Sequence, residues 1–288
     1  MKNKLRKLSL LAITLIGLAS MTGCSPYQDG DRNLPRTEFN GFWDNYLVQP
    51  ISWVLHQMSE NTGEFAIGII LTTIIVRTVL FPVYTKTNES SQKMQEVQPQ
   101  MKKLQAKYAG KTDPESKQKM QVEMMALYKE HGVNPLAGCI MPFLQMPVFM
   151  AMYHSVVRTP TIQKFGPFID KTDTMHFLGL NLSDSPIVTG DGFTITGIEY
   201  LILPILVAAT SILMQRVSMY GMSEEAKNNP MMKNMLFIMP VMMLVFSSIQ
   251  PIALALYWFV GNIYSTLQIV FVKNPFDFKI IEKLKFKK

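Results

Sequence analysis

Cysteine is scarce in this 288-residue chain, and its two cysteines, Cys24 and Cys139, are too few for a disulfide-stapled fold. Catalytic motifs are missing as well: there is no His-Glu-x-x-His helix, no Gly-x-Ser-x-Gly elbow and no phosphate-binding loop. The four histidines are scattered without the spacing of metal ligands. The sequence therefore predicts a protein that is not an enzyme and that holds no metal or cofactor.

Long apolar runs dominate the chain, which is 48% hydrophobic with a formal net charge of +7. Acidic residues are absent from these runs, apart from Glu199 at the outer end of the third. Runs of this length are typical of membrane helices. The sequence predicts an all-α polytopic membrane protein with five transmembrane helices, at Phe65–Val83, Leu136–Val157, Ile198–Met214, Met235–Ser248 and Ile252–Val272.

Arg77 places a full positive charge inside the first run. Arginine keeps its proton, and a charge at the centre of a membrane helix costs roughly 2.5–3.5 kcal/mol on insertion scales. Snorkelling to the interface is one solution, but the apolar residues Val79, Leu80, Phe81 and Val83 follow it. Because the runs offer no carboxylate to pair with it, we expect Arg77 to face water and to attract an acidic group.

Polar side chains also interrupt the other runs. An amide or hydroxyl that faces lipid leaves hydrogen bonds unmade, so these side chains should point inward. Each could simply join one helix to its neighbour. Beside an unpaired arginine they favour a shared hydrophilic groove. The candidate groove residues are Arg77, Gln145, Tyr153, Thr210, Gln215, Trp258 and Asn262, with Ser211 and Ser265 on the same helices.

The N-terminus resembles a lipoprotein signal peptide over residues 1–23, with basic residues, an apolar stretch and then Cys24. Cys24 is the predicted lipidation site, bearing palmitate; an uncleaved anchor or an ordinary secretory signal is the alternative. Residues 24–64 read as a lipidated linker followed by an amphipathic helix, Phe39–Met58, in the outer membrane interface. The alternative for that helix is packing against other protein.

Loop charge predicts the orientation of the chain. Lys and Arg number nine in 84–135, three in 215–234 and six in 273–288, but only two in 25–64 and three in 158–197. The positive-inside rule places the N-terminus outside and the C-terminus in the cytoplasm of a bacterial cell. Residues 84–135 carry two helical periodicities and predict a cytoplasmic helical hairpin, either a basic spacer on lipid or a docking arm. Residues 273–288 form a basic cytoplasmic tail.

Three strings in the chain resemble the YidC family of membrane-protein insertases in its short, Gram-positive lipoprotein form. They are IIVRTVLFPVYTKTNESSQKMQEVQPQMKKLQAKY, LYKEHGVNPLAGCIMPFLQMPVFMAMY and LYWFVGNIYSTLQ, and the resemblance covers roughly 39–272. It implies five helices (the insertase core, 65–272) around a hydrophilic groove. In that groove, the residue matching Arg77 attracts acidic substrate tails. The groove is lined by polar groups that match Gln145 and the Trp258–Asn262 region. It also implies nascent membrane proteins, the lipid bilayer, the ribosome and the Sec translocon as partners, with no role for DNA.

Two other functions fit parts of the pattern. A small anion transporter or channel could use Arg77 as an anion site, although the chain shows no inverted repeat. A non-catalytic assembly factor for a membrane complex would not need Arg77 at all.

Overall fold

The computed structural model describes residues 38–111, 113–132, 137–161, 175–189, 193–219 and 230–273. The predicted signal peptide, the lipidation site Cys24 and nearly all of the basic tail lie outside these residues.

Helices form most of the described chain. They are α1 (Gly41–Trp43), α2 (Gln49–Thr62), α3 (Phe65–Val79), α4 (Phe81–Lys107), α5 (Pro114–Glu130), α6 (Ala137–Arg158), α7 (Ile202–Ser218), α8 (Pro230–Ile249) and α9 (Ile252–Lys273), with a π-helix at Asp44–Val48.

Two compact units divide the chain. The first comprises Met1–Val76, Leu144–Tyr200 and Ser248–Tyr257, and the second comprises Arg77–Phe143, Leu201–Ser247 and Trp258–Lys288.

The first predicted span, Phe65–Val83, is wrong as one continuous helix. α3 ends at Val79, α4 begins at Phe81, and the two are bent by 60°. Pro82 explains the break, because it has no N–H to donate to the Thr78 carbonyl and its ring clashes with the preceding turn. Arg77 therefore lies in the last turn before a bend rather than in the middle of a straight span.

Fewer than five of the described helices are both long enough and apolar enough to cross a membrane on their own. Among the described residues, Ile198–Ser218 and Ile252–Phe271 are long and apolar enough to cross a membrane, and the bent pair Phe65–Val79 with Phe81–Thr87 counts as a third if it is one span. Leu236–Ile249 is a shorter apolar helix, and α6 covers the second predicted span. The total of five stays a prediction.

The segment before the first span has two contrasting faces. Phe42, Tyr46 and Trp53 are exposed, whereas Asp44 and Ser52 are buried. α2 ends at Gly63, whose positive φ of 75° allows its N–H to bond the Ser59 carbonyl at 2.8 Å. The buried face is of mixed polarity, since it also includes Val48 and Leu55, and the exposed aromatic face suits a membrane interface.

The helices α4 and α5 pack along one another. Val97 and Met101 are buried against Met94, Met124, Leu127 and Tyr128. Asp113 caps α5 by accepting a 2.7 Å hydrogen bond from the Ser116 N–H, and Pro114 follows at a position that needs no N–H donor. Lys107 pairs with Glu123 at 2.8 Å, which joins the two helices at their connected end.

Two small antiparallel hairpins occupy the predicted outer loop, where the sequence analysis assigned no strands. They are β1 (His176–Phe177) with β2 (Leu180–Asn181), and β3 (Ile187–Thr189) with β4 (Phe193–Ile195). The segment after β2 caps the N-terminus of α9, since the Ile252 and Ala253 N–H groups donate to the carbonyls of Asp184 and Leu182 at 2.9 and 3.0 Å.

Candidate functional site

Arg77 is enclosed by protein, with its side chain 8% exposed. Its Nη1 donates a 3.3 Å hydrogen bond to Ser265 Oγ, and its Cζ lies 5.1 Å from the ring centroid of the buried Tyr84. Its Nε has no hydrogen-bond partner among the described residues, and no described carboxylate pairs with it. The site therefore carries an uncompensated positive charge in the part of the chain that the structure describes.

The sequence predicts a water-facing arginine, whereas the structure covers more than nine-tenths of this side chain. The close approach of α9 explains the difference. Gly261 is the contact point, because a Cβ at that position would lie 3.0 Å from Arg77 Nη2. A glycine here lets the guanidinium lie against the backbone of α9, with Tyr84 over its face.

Asn262 joins two helices through its amide. Its Nδ2 donates to Ser211 Oγ at 2.8 Å and lies 3.3 Å from both Thr210 Oγ1 and the Val207 carbonyl. All three acceptors are on α7. The structure thus brings together the predicted groove residues Thr210 and Asn262, one helical turn from the Ser265 that bonds Arg77. Shared hydrogen bonds of this kind are also what joins helices inside a membrane.

Two further predicted residues lie in the same unit. Trp258 is buried one turn before Asn262 on α9. Gln215 is partly exposed on α7, and its Oε1 is buried without a hydrogen-bond partner among the described residues. A buried acceptor without a donor is uncommon and costs about 1–3 kcal/mol, so Gln215 remains a candidate for a polar contact.

Gln145 and Tyr153 belong to the other unit. Gln145 Nε2 donates a 3.4 Å hydrogen bond to the Tyr257 hydroxyl. The Tyr153 ring stacks on Phe149 at 6.2 Å between centroids and meets the His154 ring edge-on at 6.0 Å. Their assignment to a groove stays a prediction.

The structure also contains polar partners that the sequence analysis missed. Gln268 on α9 donates to the Phe81 carbonyl at 3.3 Å and lies 3.2 Å from Thr85 Oγ1, and the Tyr264 and Thr78 hydroxyls are 3.0 Å apart. Gly261, Tyr264 and Gln268 recur at three- and four-residue steps beside Asn262 and Ser265, and this periodicity was available in the sequence.

A second arginine, Arg158, was counted only as loop charge in the sequence analysis. It is fully buried, and its Nη1 donates to Asp44 Oδ2 at 2.9 Å. Its Nη2 donates to the Glu38 carbonyl, and its Cζ lies 4.9 Å from the Phe39 ring centroid. No short-range pattern marks this pair, because its members are 114 positions apart.

Comparison with known proteins adds independent findings. The family model described as "60Kd inner membrane protein" matches residues 57–279. The "Membrane protein insertase YidC 2" of Listeria innocua is 37% identical over 281 residues, covering 96% of this chain and 87% of its own length. The protein of the same name from Bacillus anthracis is 38% identical over 272 residues, with 94% of both chains covered. The "Membrane protein insertase MisCA" of Bacillus subtilis is 36% identical over 273 residues, covering 94% of this chain and 92% of its own.

One solved structure is similar in fold. It is described as "Active YidC insertase crystal structure with the first transmembrane domain resolved", with a TM-score of 0.52 and 24% sequence identity. The match covers 83% of this chain and 47% of that one, so this chain spans about half the length of the solved protein.

Proposed function

The chain belongs to the YidC family of membrane protein insertases, and we propose that it inserts nascent membrane proteins into a bacterial cell membrane through a hydrophilic groove at Arg77. The observation that carries this proposal is a buried arginine that no described carboxylate neutralises. Arginine stays protonated in any protein environment, so the charge is permanent. Its natural counterpart is an acidic group brought by a substrate.

The arginine lowers the cost of moving an acidic tail partway across the membrane. A carboxylate at mid-membrane depth is expensive on its own, and a fixed positive charge offsets part of that expense. Thr210, Gln215 and Asn262 add hydroxyl and amide groups in the same unit, which can replace some of the water that the tail loses. These residues supply polar groups that replace water and a positive electrostatic field, and no covalent step is required.

Burial of the substrate's own apolar helix provides the driving force. At about 25 cal/mol per Å² of apolar surface, a whole span gains far more than the transfer of a short tail costs. The large exposed apolar side chains on α7, such as Ile205 and Leu213, offer a surface along which that helix can pass into lipid. No nucleotide or metal is needed for a transfer driven in this way.

The remaining regions complete the proposal. The hairpin of α4 and α5 faces the cytoplasm and receives the substrate, and the basic tail 273–288 contacts the ribosome, whose RNA is anionic. Cys24 is the lipidated mature N-terminus outside the cell, and the protein works alone or with the Sec translocon. The charge distribution of the loops supports this orientation.

Reconstitution tests the proposal directly. The purified full chain in liposomes is given a single-span substrate with an acidic tail, and protection of that tail from external protease is measured. We expect protection above that of empty liposomes. Protection equal to that of empty liposomes contradicts the insertase role. Anion uptake into the same liposomes, abolished by Arg77→Ala, is the result that the transporter alternative requires.

A further inference from the structure

The break between α3 and α4 exposes backbone groups inside an apolar segment. Pro82 supplies no N–H, so the carbonyl one turn before it loses its usual helical donor. At membrane depth such groups are tolerated only when neighbouring side chains bond them. Leu80 is the residue between the two helices, and its carbonyl accepts from the N–H groups of both Val83 and Tyr84 at 3.0 Å. The bend is therefore a formed turn rather than a frayed end.

One face of α9 contacts both sides of this bend. Before it, Tyr264 meets Thr78 and Ser265 bonds Arg77. After it, Gln268 donates to the Phe81 carbonyl at 3.3 Å and lies 3.2 Å from Thr85 Oγ1. Gln268 lies four positions after Tyr264 and three after Ser265, and these spacings place it on the same face of α9 as both of them.

We propose that Gln268 is a positioning residue that fixes the direction in which α4 leaves the bend. Its side chain is 4% exposed, so the amide has no competing water. The amide nitrogen reaches a backbone carbonyl and a hydroxyl in the first turn of α4. α4 then continues as one helix to Lys107, with Pro99 inside it, so its first turn sets the course of the helix that leads to that proline.

The same helix therefore positions the arginine and the hairpin. Ser265 and Gly261 locate the Arg77 guanidinium, and Gln268 locates the start of α4. In its functional part this inference rests on the proposed insertase role, since it expects a substrate to pass from the hairpin to the arginine. Its structural part stands without that role.

Two variants separate positioning from general helix packing. Gln268→Met keeps the length and approximate volume of the side chain and removes its donors. Thr85→Val removes the hydroxyl that Gln268 reaches, together with that hydroxyl's own 2.9 Å bond to the Phe81 carbonyl. The matched control is Thr266→Val, whose hydroxyl, among the described residues, bonds the Asn262 carbonyl of its own helix at 2.7 Å and no other group. Thermal unfolding of each variant identifies any that fails to fold.

The first readout is a distance that needs no substrate. Spin labels at Ile263→Cys on α9 and Ala106→Cys near the end of α4, with both native cysteines replaced by serine, report their separation in liposomes by pulsed electron resonance. Both positions are exposed. We expect Gln268→Met and Thr85→Val to broaden the distance distribution and Thr266→Val to leave it unchanged. An unchanged distribution in Gln268→Met and in Thr85→Val overturns the inference.

The second readout is the initial rate of insertion of the acidic-tail substrate. We expect Gln268→Met to lower it about fivefold, the equivalent of one lost hydrogen bond, and Thr266→Val to lower it less than about twofold. A broadened distribution with an unchanged rate supports Gln268 as the residue that fixes α4 and overturns the functional part of the inference. If the parent chain itself inserts nothing, the proposed function fails, while the distance measurement still decides whether Gln268 fixes the bend.

Discussion

Removing the carboxylate of Asp44 should destabilise the protein more than removing any exposed charge does. Arg158 is 0% exposed and Asp44 is 5% exposed, with a 2.9 Å bond between them. Breaking a buried pair from one side typically costs about 3–5 kcal/mol, because the other charge is left buried and uncompensated. Arg158 keeps its bond to the Glu38 carbonyl, so we expect Asp44→Ala to lie near the lower limit, about 3 kcal/mol.

Thermal unfolding in detergent, followed by tryptophan fluorescence, measures this loss. With an unfolding entropy of about 2.1 cal/mol/K per residue, a change of 1 kcal/mol shifts the Tm of a 288-residue chain by about 1.7 °C, so Asp44→Ala should lower it by about 5 °C. The control is Glu115→Ala, which removes one member of the exposed 2.7 Å pair with Lys119 and should shift the Tm by no more than about 1 °C.

Replacing both partners separates the buried charge from the lost contact. The double variant Asp44→Leu with Arg158→Met leaves no unpaired charge and should recover much of the Tm that Asp44→Ala loses. A decrease of less than about 2 °C in Asp44→Ala would refute the reasoning, since it would mean that Arg158 is not dependent on this carboxylate.

Four other outcomes are expected. Gly261→Ala should slow insertion of an acidic-tail substrate, because the new Cβ would lie 3.0 Å from Arg77 Nη2; a rate equal to that of the parent contradicts the close approach. Arg77→Lys should keep most of the insertion rate, because an ammonium group also places a positive charge beside Ser265 and Tyr84, and a loss as deep as that of Arg77→Ala would mean that guanidinium geometry is needed. The hydrogen bond from the Lys107 ammonium lowers the pKa of Glu123 from its ordinary 4.5. The stability that this pair adds to the hairpin is therefore present above pH 4.5 and is lost as the pH falls through the lowered pKa. The protection factors of the α5 amides in the full chain, which correct for slower intrinsic exchange at low pH, should fall over this pH range in the parent but not in Glu123→Gln. Cys24→Ala should leave insertion intact and remove the lipid, as mass spectrometry of the mature chain would report.

Helical content was predictable because apolar periodicity is a local property. The last two predicted runs, separated at Pro251, correspond to α8 and α9. α8 ends at Ile249 and α9 begins at Ile252. The bend at Leu80 was also within reach, since Pro82 is visible in the sequence and breaks any helix that includes it. The predicted span crosses Pro82 because the apolar run continues to Val83.

Long-range pairing was not predictable from one sequence. The Arg158–Asp44 pair and the Asn262–Ser211 bond join residues 114 and 51 positions apart, and nothing local specifies either partner. The two short hairpins of the predicted outer loop were missed for a different reason. Their strands are two or three residues long, too short to show an alternating pattern.

The central claim is that Arg77 acts on the acidic residues of a substrate tail, and a double-mutant cycle of initial insertion rates tests it most directly. The chain and its Arg77→Ala variant are each given a substrate with an acidic tail and the same substrate with those residues changed to amides. A coupling of about 1.4 kcal/mol, between the values for charge pairs in bulk water and near a protein surface, corresponds to tenfold. We predict that Arg77→Ala slows the acidic tail about tenfold and the neutral tail less than about twofold. Equal slowing of both tails would contradict the claim and leave Arg77 as part of the structure alone.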